Sequence, residues 1–336
     1  MTRYVVVGAG AVGATLAAQF HLNGIDYVLV ARGDTYRALK SEGLRYVRPE
    51  GEIRVPVDVV DGPEAVTLRR GDVLVLAVKA QQADQALHDW AWRPVEGSDE
   101  AAARVVPVVT LQNGIESERT ALRRFHHVYG ASIWIPGTHV EPGRVIAAGT
   151  PAVALVWLGR YPSGADDRAE SIAADLRRVD VTTQVVDDIQ RWKATKLIGN
   201  LLNAVDIFEA DDTEIEATTG ALESEAFAVL AAAGITLADH ATEATQDRSG
   251  LSIAPIDGHS VERKSTWQSL ARGSDTVETD YLNGEISLLG RLHGVPTPVN
   301  DRLQEALGRA SLDREAPGSR RLADVVGTAR LEGSVP

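Results

Sequence analysis

The N-terminus of the chain places a closely spaced set of glycines directly after an apolar run. Residues 4–7 read Tyr-Val-Val-Val, which is typical of a buried parallel strand, and residues 11–22 have helical character. Between them stands Gly8-Ala9-Gly10-Ala11-Val12-Gly13, with the spacing G-x-G-x-x-G. Such glycines allow a tight turn, close approach of a pyrophosphate and close packing of the helix on the strand. The pattern predicts a dinucleotide site in which Ala11 and Val12 open the helix that receives the phosphates, and a ligand-free glycine turn is the alternative.

Apolar runs and helical stretches alternate through the first half of the chain. The runs expected to form parallel strands are Tyr27–Ala31, Val73–Val78, Val105–Leu111 and Val128–Ile135, with helices near 34–43, 81–92 and 115–124. This alternation predicts an α/β fold that begins with a Rossmann-type, doubly wound sheet. Antiparallel strands at the edge of that sheet are expected at Val145–Ala148 and Val153–Leu158, and a last strand at Thr182–Val186.

Strand-like runs almost vanish after Asp187. Helices are expected at 189–208, 213–233, 236–247, 276–293 and 298–311, whereas 248–263 is loop-like. A chain of 336 residues suits two domains, so we expect a dinucleotide-binding Rossmann domain at 1–187 and an all-α domain at 188–316. Residues 317–336 are rich in Gly, Pro, Ser and Arg and are expected to form a flexible tail.

The composition excludes several classes of function. With 34 Lys and Arg against 47 Asp and Glu, the net charge of -13 disfavours nucleic acid and anionic membranes as partners, while a few local cations can still hold a small anionic substrate. The absence of cysteine removes disulfides, thiolate catalysis and cysteine-ligated metals, and the eight histidines lack ligand spacing, so no metal is expected. The sequence has no long apolar run and no signal-peptide cleavage site, so we expect a cytoplasmic protein. A homodimer is compatible with its apolar helical domain.

The end of the second predicted strand bears on which dinucleotide binds. An acidic residue there would bind the ribose 2′-hydroxyl of NAD, but this strand ends Val30-Ala31-Arg32, 19 residues after Gly13. A small residue followed by arginine suits a 2′-phosphate, so the sequence favours NADPH, and the alternative is that Arg32 is an ordinary surface arginine. Lys79 and Asn113 follow the next two strands, where ligands of open α/β sheets bind, and both are candidates for contacts with cofactor or substrate.

The predicted helix 189–208 carries a polar stripe on an otherwise apolar surface. Lys196, Asn200 and Asn203 stand at i, i+4 and i+7, and leucine and isoleucine side chains cover the other faces. Burial of this stripe would lower the pKa of Lys196 and suit that side chain to proton donation. The alternative is an amphipathic helix whose stripe faces water, and Lys193 is expected to be exposed.

A second polar cluster begins at Lys264-Ser265-Thr266-Trp267-Gln268 and continues to Glu278. Asp275 and Glu278 have the spacing of a capping box, which would account for Glu278 structurally. That interpretation does not exclude a catalytic role, so both stay open for Glu278.

These features occur together in a known family. The chain resembles the ketopantoate reductases, also called 2-dehydropantoate 2-reductases, in seven ordered motifs: the glycine loop, the strand end at Arg32, Val78-Lys79-Ala80-Gln81-Gln82, Leu111-Gln112-Asn113-Gly114, Lys196 with Asn200, Ser265-Thr266-Trp267-Gln268 and Glu278-Thr279-Asp280-Tyr281-Leu282-Asn283-Gly284. The resemblance covers about residues 3–310 and therefore nearly the whole chain.

The resemblance implies a reaction and a role for each matching residue. In that family NADPH reduces the C2 carbonyl of 2-dehydropantoate to (R)-pantoate, for pantothenate biosynthesis. By this resemblance Lys196 is the general acid, and Glu278 is the carboxylate that works with it. Substrate binding falls to Asn113, Asn200, Asn203 and Ser265, and cofactor binding falls to Gly8, Gly10, Ala11, Val12, Gly13, Arg32, Lys79, Gln82 and Asn113.

Three departures from the family pattern concern the substrate. Position 204, where the family commonly has a second asparagine, is alanine, and Asn203 stands one residue earlier. The loop between Gln268 and Glu278 is one residue longer than usual, and Gln81 stands where an aromatic residue is common. The alternatives are therefore a reductase of another 2-oxo acid, carbonyl or imine on the same scaffold, and a non-catalytic NADPH sensor.

Overall fold

A computed structural model describes residues 2–258, 265–271 and 277–327 of the chain. Its strands are β1 (Arg3–Val7), β2 (Tyr27–Val30), β3 (Leu44–Arg48), β4 (Gly51–Val55), β5 (Val59–Val60), β6 (Leu68–Arg69), β7 (Asp72–Leu76), β8 (Val95–Glu96), β9 (Val108–Thr110), β10 (Val128–Trp134), β11 (Gly137–Glu141), β12 (Arg144–Ala147), β13 (Gly149–Pro151), β14 (Ala154–Arg160), β15 (Val181–Val185) and β16 (Leu251–Ile253). Its α-helices are α1 (Ala11–Leu22), α2 (Gly33–Glu42), α3 (Ala83–Ala91), α4 (Ala102–Val105), α5 (Ser117–Leu122), α6 (Asp167–Arg177), α7 (Ile189–Leu201), α8 (Asp212–Ala232), α9 (His240–Glu243), α10 (Ser265–Ala271), α11 (Asn283–His293), α12 (Pro298–Asp313) and α13 (Leu322–Val326). Short 3₁₀ turns lie at Pro63–Ala65, Ala80–Gln82, Val205–Ile207, Arg248–Gly250 and Glu278–Tyr281.

Eight strands form the main sheet, in the order β15-β14-β10-β9-β7-β1-β2-β5. Its pairings are parallel except for that of β10 with β14. Alternate residues of β1 enter separate apolar cores, with Tyr4 and Val6 in one and Val5 and Val7 in the other. A strand that is buried on both faces has to be apolar at every position, which is why these strands read as unbroken valine and leucine runs. The doubly wound α/β fold predicted from the sequence is confirmed.

The two predicted edge strands lie in different sheets. Val153–Leu158 falls in β14, which joins the main sheet antiparallel to β10. Val145–Ala148 falls in β12, which belongs to a separate four-stranded sheet of order β11-β12-β3-β4. Placing both strands at the edge of the main sheet was therefore wrong. The reason is that the segment between them, β13, pairs with β16, a strand inside the stretch 248–263 that was expected to be loop-like.

The helical part of the chain forms a unit of its own. Within the described residues, one compact unit comprises 2–112, 116–192 and 239–258, and the other comprises 113–115, 193–238, 265–271 and 277–327. The described residues of this second unit contain helices and no strand, which confirms the all-α prediction. Its apolar core includes Leu197, Leu201, Leu222, Ile286 and Leu303. None of the helices within the described ranges is both long and apolar enough to cross a membrane.

Three predicted helices are shorter than expected or are broken. The stretch 189–208 is helical only to Leu201, because the Asn203 N–H donates to the Asn200 carbonyl and tightens the chain into 3₁₀ geometry. The stretch 236–247 reduces to α9, whose start is set by the Asp239 side chain that accepts from the Ala241 N–H. The stretch 276–293 breaks at Leu282, where a 3₁₀ turn meets α11.

The prediction of a flexible tail is wrong for its described part. Residues 322–326 form α13, in which Leu322 and Val326 are buried. These side chains stand at i and i+4 on one side of the helix and complete the helical core beside α8 and α12. Residues 328–336 lie outside the described residues.

The first turn of α7 is anchored in the first unit by aromatic stacking. The rings of Trp157 and Trp192 stack at 5.1 Å with an interplanar angle of 15°. His240 stands edge-on to both rings, at 4.6 Å and 4.9 Å. Arg191 Nη1 and Nη2 donate to the two carboxylate oxygens of Glu243 at 2.7 Å and 2.8 Å. These contacts hold the start of α7 to β14 and α9.

Replacement of Trp157 by alanine is expected to destabilise the first unit by about 3–5 kcal/mol, because the ring is fully buried and its loss leaves a cavity. The matched control is Trp92→Ala, since Trp92 is 62% exposed and its loss should cost no more than about 0.5 kcal/mol. Urea unfolding measures both. Equal losses of stability in the two variants would contradict this account of the core.

Candidate active site

The glycine loop of the first unit has the geometry that a pyrophosphate needs. Gly8 has a φ of +109°, and a Cβ on Gly13 would lie 1.9 Å from the Gly8 carbonyl oxygen, so neither position accepts a side chain. A Cβ on Gly10 would meet no atom within 4 Å, and Gly10 is the N-cap of α1. The N–H groups of Ala11 and Val12 belong to the first turn of α1 and have no acceptor within that helix. The residues present therefore fit an anionic phosphate at this helix N-terminus.

Arg32 follows β2 and is the N-cap of α2, and its guanidinium pairs with a carboxylate. Arg32 Nη2 donates to Asp89 Oδ2 at 2.9 Å, and Gln85 Nε2 donates to Asp89 Oδ1 at 2.7 Å. Partial burial raises the pKa of Asp89, but the hydrogen bonds from Arg32 and Gln85 outweigh it and leave that pKa below its usual value. Sequence reasoning missed Asp89 because it stands 57 residues after Arg32, with no local spacing to link them.

The ends of β7 and β9 are tied together by Gln112. Its amide nitrogen donates to the carbonyl oxygens of Leu76 at 2.8 Å and Val78 at 2.9 Å. Lys79 stands three residues beyond the end of β7, and Gln82 ends the 3₁₀ turn that follows. Lys79 is half-buried and Gln82 is exposed. Both residues thus follow the carboxyl end of a parallel strand, which is where open α/β sheets bind ligands.

In the second unit, Lys196 Nζ donates a hydrogen bond to Asn113 Oδ1 at 2.6 Å. The residue after Asn113 explains how its loop is held. Gly114 has a φ of +80°, and a Cβ there would lie 2.5 Å from the Tyr281 carbonyl oxygen. Only glycine allows this approach, so the loop packs closely on the 3₁₀ turn that begins at Glu278. This packing brings Asn113 close to Lys196 and to the turn of Glu278, although the three residues are distant in sequence.

Burial and neighbouring charges set the protonation state of Lys196. Removal of its ammonium group from water and the positive charge of Lys193 lower the pKa of Lys196, the Glu278 carboxylate opposes both, and the net result is a pKa of about 7. Lys193 is 3% exposed and Glu278 is 6% exposed. The expectation of an exposed Lys193 was wrong, because this residue shares a face of α7 with Leu197, which lies in the helical core. A lysine with a pKa near 7 can give up and regain a proton at neutral pH.

Asn200 and Asn203 stand at the end of α7. The Nδ2 atom of Asn200 is buried and has no hydrogen-bond partner among the described residues. An orphaned buried donor of this kind can be satisfied by an oxygen of a ligand. Asn203 is 9% exposed and lies in the turn beyond the helix, so the expected continuous helical stripe is wrong at this residue. The neighbouring Ala204 is also buried.

Ser265 is the first residue of α10, and Asp275 lies outside the described residues. The capping-box interpretation of Glu278 is wrong, because the 3₁₀ turn begins at Glu278 itself and its N-cap is Val277. Glu278 instead acts on Lys196 through its negative charge. Across the described ranges, no group of three or more histidine, aspartate or glutamate side chains is arranged to hold a metal ion.

The glycine loop on a doubly wound sheet and the lysine of lowered pKa define a class of protein, the nicotinamide-dependent oxidoreductases that act on a carbonyl or hydroxyl carbon. The comparison with family profiles gives a narrower result. The profile described as "Ketopantoate reductase PanE/ApbA" matches residues 4–162, and "Ketopantoate reductase PanE/ApbA C terminal" matches residues 188–310. The chain therefore belongs to the ketopantoate reductase family.

Sequence similarity to known proteins extends over nearly the whole chain. It is 29% identical over 338 residues to a 2-dehydropantoate 2-reductase of Mycobacterium tuberculosis (strain ATCC 25618 / H37Rv), which covers 94% of this chain and 99% of the relative. It is 25% identical over 319 residues to a 2-dehydropantoate 2-reductase of Pyrococcus horikoshii, which covers 91% of this chain and 98% of the relative. Both matches include the two units.

Solved structures share the fold at low sequence identity. A PanE/ApbA family ketopantoate reductase from Ralstonia eutropha JMP134 has a TM-score of 0.75 and 23% identity, and the match covers 94% of this chain and all of that one. A D-mandelate dehydrogenase in a ternary structure with NADH and anilino(oxo)acetate also has a TM-score of 0.75, with 22% identity over 93% of this chain and 99% of that one.

The rate of carbonyl reduction is expected to fall as the pH rises through about 7, because Lys196 loses the proton that it has to donate. Replacement of Lys193 by methionine removes a like charge, so the pKa of Lys196 should rise and this fall should move to higher pH. The pH dependence of kcat/KM measures both effects. Lys193→Arg keeps the positive charge and is the control, and an unshifted profile in a folded Lys193→Met variant would refute the coupling.

Proposed function

We propose that the chain catalyses the NADPH-dependent reduction of the C2 carbonyl of 2-dehydropantoate to (R)-pantoate, a step of pantothenate biosynthesis. The observation that carries this proposal is the hydrogen bond of 2.6 Å from Lys196 to Asn113, made by a lysine whose pKa is lowered to about 7. Reduction of a ketone needs a proton donor for the forming alkoxide, and a lysine with such a pKa can donate at neutral pH. The names of the relatives support the same reaction.

The protonation chemistry falls to three side chains of the second unit. Lys196 Nζ donates its proton to the oxygen at C2 as that oxygen gains negative charge. Asn113 Oδ1 accepts a hydrogen bond from Lys196 and orients the ammonium group. The charge of Glu278 favours the protonated lysine and so keeps part of it ready to donate near pH 7. After the reaction, a proton from solvent restores the lysine.

The cofactor is proposed to lie on the first unit. NADPH, when bound, supplies the hydride that C2 accepts. Gly8, Gly10 and Gly13, with the N–H groups of Ala11 and Val12, would hold its pyrophosphate at the start of α1. Arg32 would hold the 2′-phosphate, while Lys79, Gln82 and Asn113 complete the proposed cofactor contacts.

The substrate is proposed to bind through amide and hydroxyl groups of the second unit. The buried Nδ2 of Asn200, which lacks a partner within the described part of the chain, is suited to donate to a carboxylate or hydroxyl oxygen of the substrate. Asn113, Asn203 and Ser265 are the other proposed substrate contacts. In this assignment residues 188–316, together with Asn113, supply the catalytic and substrate groups, and residues 1–187 bind NADP.

A second candidate is the reduction of a different 2-oxo acid with the same proton donor. The observation that favours it is Ala204, a buried residue at a position where the family commonly has an asparagine. An alanine at this position has no amide with which to hydrogen-bond the hydroxyl group of a substrate. The D-mandelate dehydrogenase of similar fold illustrates that such a scaffold can serve a different 2-hydroxy acid.

Lys196→Ala is expected to lower kcat with 2-dehydropantoate by about 10²-fold or more, because the alkoxide loses its proton donor. Binding of NADPH, followed by fluorescence titration, should be retained. Lys40→Ala, which removes an exposed lysine on α2, is the control and should leave kcat unchanged. Full activity in the Lys196→Ala variant would remove this residue from the mechanism. Absence of turnover in the wild-type protein, with NADPH still bound, would favour a non-catalytic NADPH sensor.

Arg32→Ala is expected to weaken NADPH binding by about tenfold or more while it leaves NADH binding nearly unchanged, because only NADPH carries the phosphate that the guanidinium would contact. Titration of the variant with each cofactor measures the two dissociation constants. Equal losses for NADPH and NADH would refute the assignment of Arg32 to the 2′-phosphate.

A further inference from the structure

The cation proposed for the 2′-phosphate is already paired with a carboxylate. Arg32 Nη2 lies 2.9 Å from Asp89 Oδ2, across two elements of the first unit, the start of α2 and the last turn of α3. Gln85 stands one turn earlier on α3 and fixes the other carboxylate oxygen at 2.7 Å. The Asp89 side chain is 21% exposed, whereas that of Arg32 is 66% exposed, so the carboxylate is the fixed partner and the arginine is the movable one.

The neighbouring ion pair on α2 adds no net positive charge beside Arg32. The next arginine on α2, Arg37, pairs with Asp34, which stands two residues after Arg32. The two arginines therefore face two carboxylates, Asp34 and Asp89. A 2′-phosphate carries about -1.5 to -2 charges at neutral pH. Beside Arg32 it would meet these two carboxylates as well as the two arginines.

We propose that Asp89 is a specificity-determining residue, which weakens the preference for NADPH over NADH by competing with the 2′-phosphate for the Arg32 guanidinium. This inference rests on the proposed role of Arg32 in binding NADPH. To contact the phosphate, Arg32 has to leave Asp89 or share its N–H groups with it, and the remaining carboxylate repels the phosphate. NADH carries a hydroxyl at the same position and meets no such repulsion.

Asp89→Asn tests the inference, since it removes the charge and keeps the shape of the side chain. We expect the Kd for NADPH to fall about two- to fivefold, the range that corresponds to the coupling of an exposed ion pair, and the Kd for NADH to stay the same. Asp84→Asn is the matched control, because Asp84 lies on the same helix in another exposed pair, 2.7 Å from Arg124, and should change neither Kd. An unchanged or raised Kd for NADPH in Asp89→Asn would overturn the inference.

The double variant Arg32→Ala/Asp89→Asn separates this inference from the proposed function. If Asp89 acts through Arg32, Asp89→Asn should not change the Kd for NADPH once Arg32 is absent. A selective loss of NADPH binding in Arg32→Ala, together with no gain in Asp89→Asn, would overturn the role of Asp89 and leave the cofactor assignment standing. A loss in Arg32→Ala that is equal for both cofactors would overturn the assignment itself. If Asp89→Asn still lowers the Kd for NADPH when Arg32 is absent, Asp89 does not act by competing for the guanidinium, and the inference is overturned.

Discussion

The hydrogen bond between Lys196 and Asn113 holds a partly buried ammonium group in place, and the chemistry of the site follows from that burial. Burial and the charge of Lys193 disfavour the protonated lysine, while Glu278 favours it, and the balance leaves a pKa of about 7. An exposed lysine would hold its proton too tightly to act as an efficient acid at neutral pH, and a buried lysine without Glu278 would lose it. The cluster of two lysines and one carboxylate is therefore tuned as a unit.

The scaffold fixes the groups of this cluster through close backbone packing and through the stacking of aromatic rings. Gly114 allows the loop of Asn113 to pack against the Tyr281 carbonyl, beside the turn that carries Glu278. The helix that bears Lys196 is anchored one turn earlier by the stacking of Trp192 on Trp157. In the first unit the glycine loop is held in the same manner, since neither Gly8 nor Gly13 has space for a side chain. Displacement of any of these contacts would move a reacting group.

Local patterns in the sequence predicted the parallel sheet, the glycine loop and the helical second unit. Asn113 falls within the predicted first domain, whereas the structure places it in the second unit with Lys196 and Glu278. What could not be predicted depends on contacts between distant residues. Asp89 meets Arg32 across 57 residues, and Lys193 is buried because the tertiary core covers its face of α7. The pairing of β13 with β16 and the packing of α13 likewise rest on partners that no local periodicity reveals.

The central claim, that this site reduces 2-dehydropantoate with NADPH, is tested most directly by the loss of NADPH absorbance with the purified protein. Initial rates should be compared across 2-dehydropantoate, 2-oxo acids with unhydroxylated or aromatic side chains, and NADH in place of NADPH. We predict a kcat/KM for 2-dehydropantoate at least about tenfold above that of any other acid in the panel. A higher kcat/KM for another 2-oxo acid would contradict the proposed substrate but not the role of Lys196 as proton donor. No turnover with any acid, in a protein that still binds NADPH, would contradict the proposed reaction as a whole.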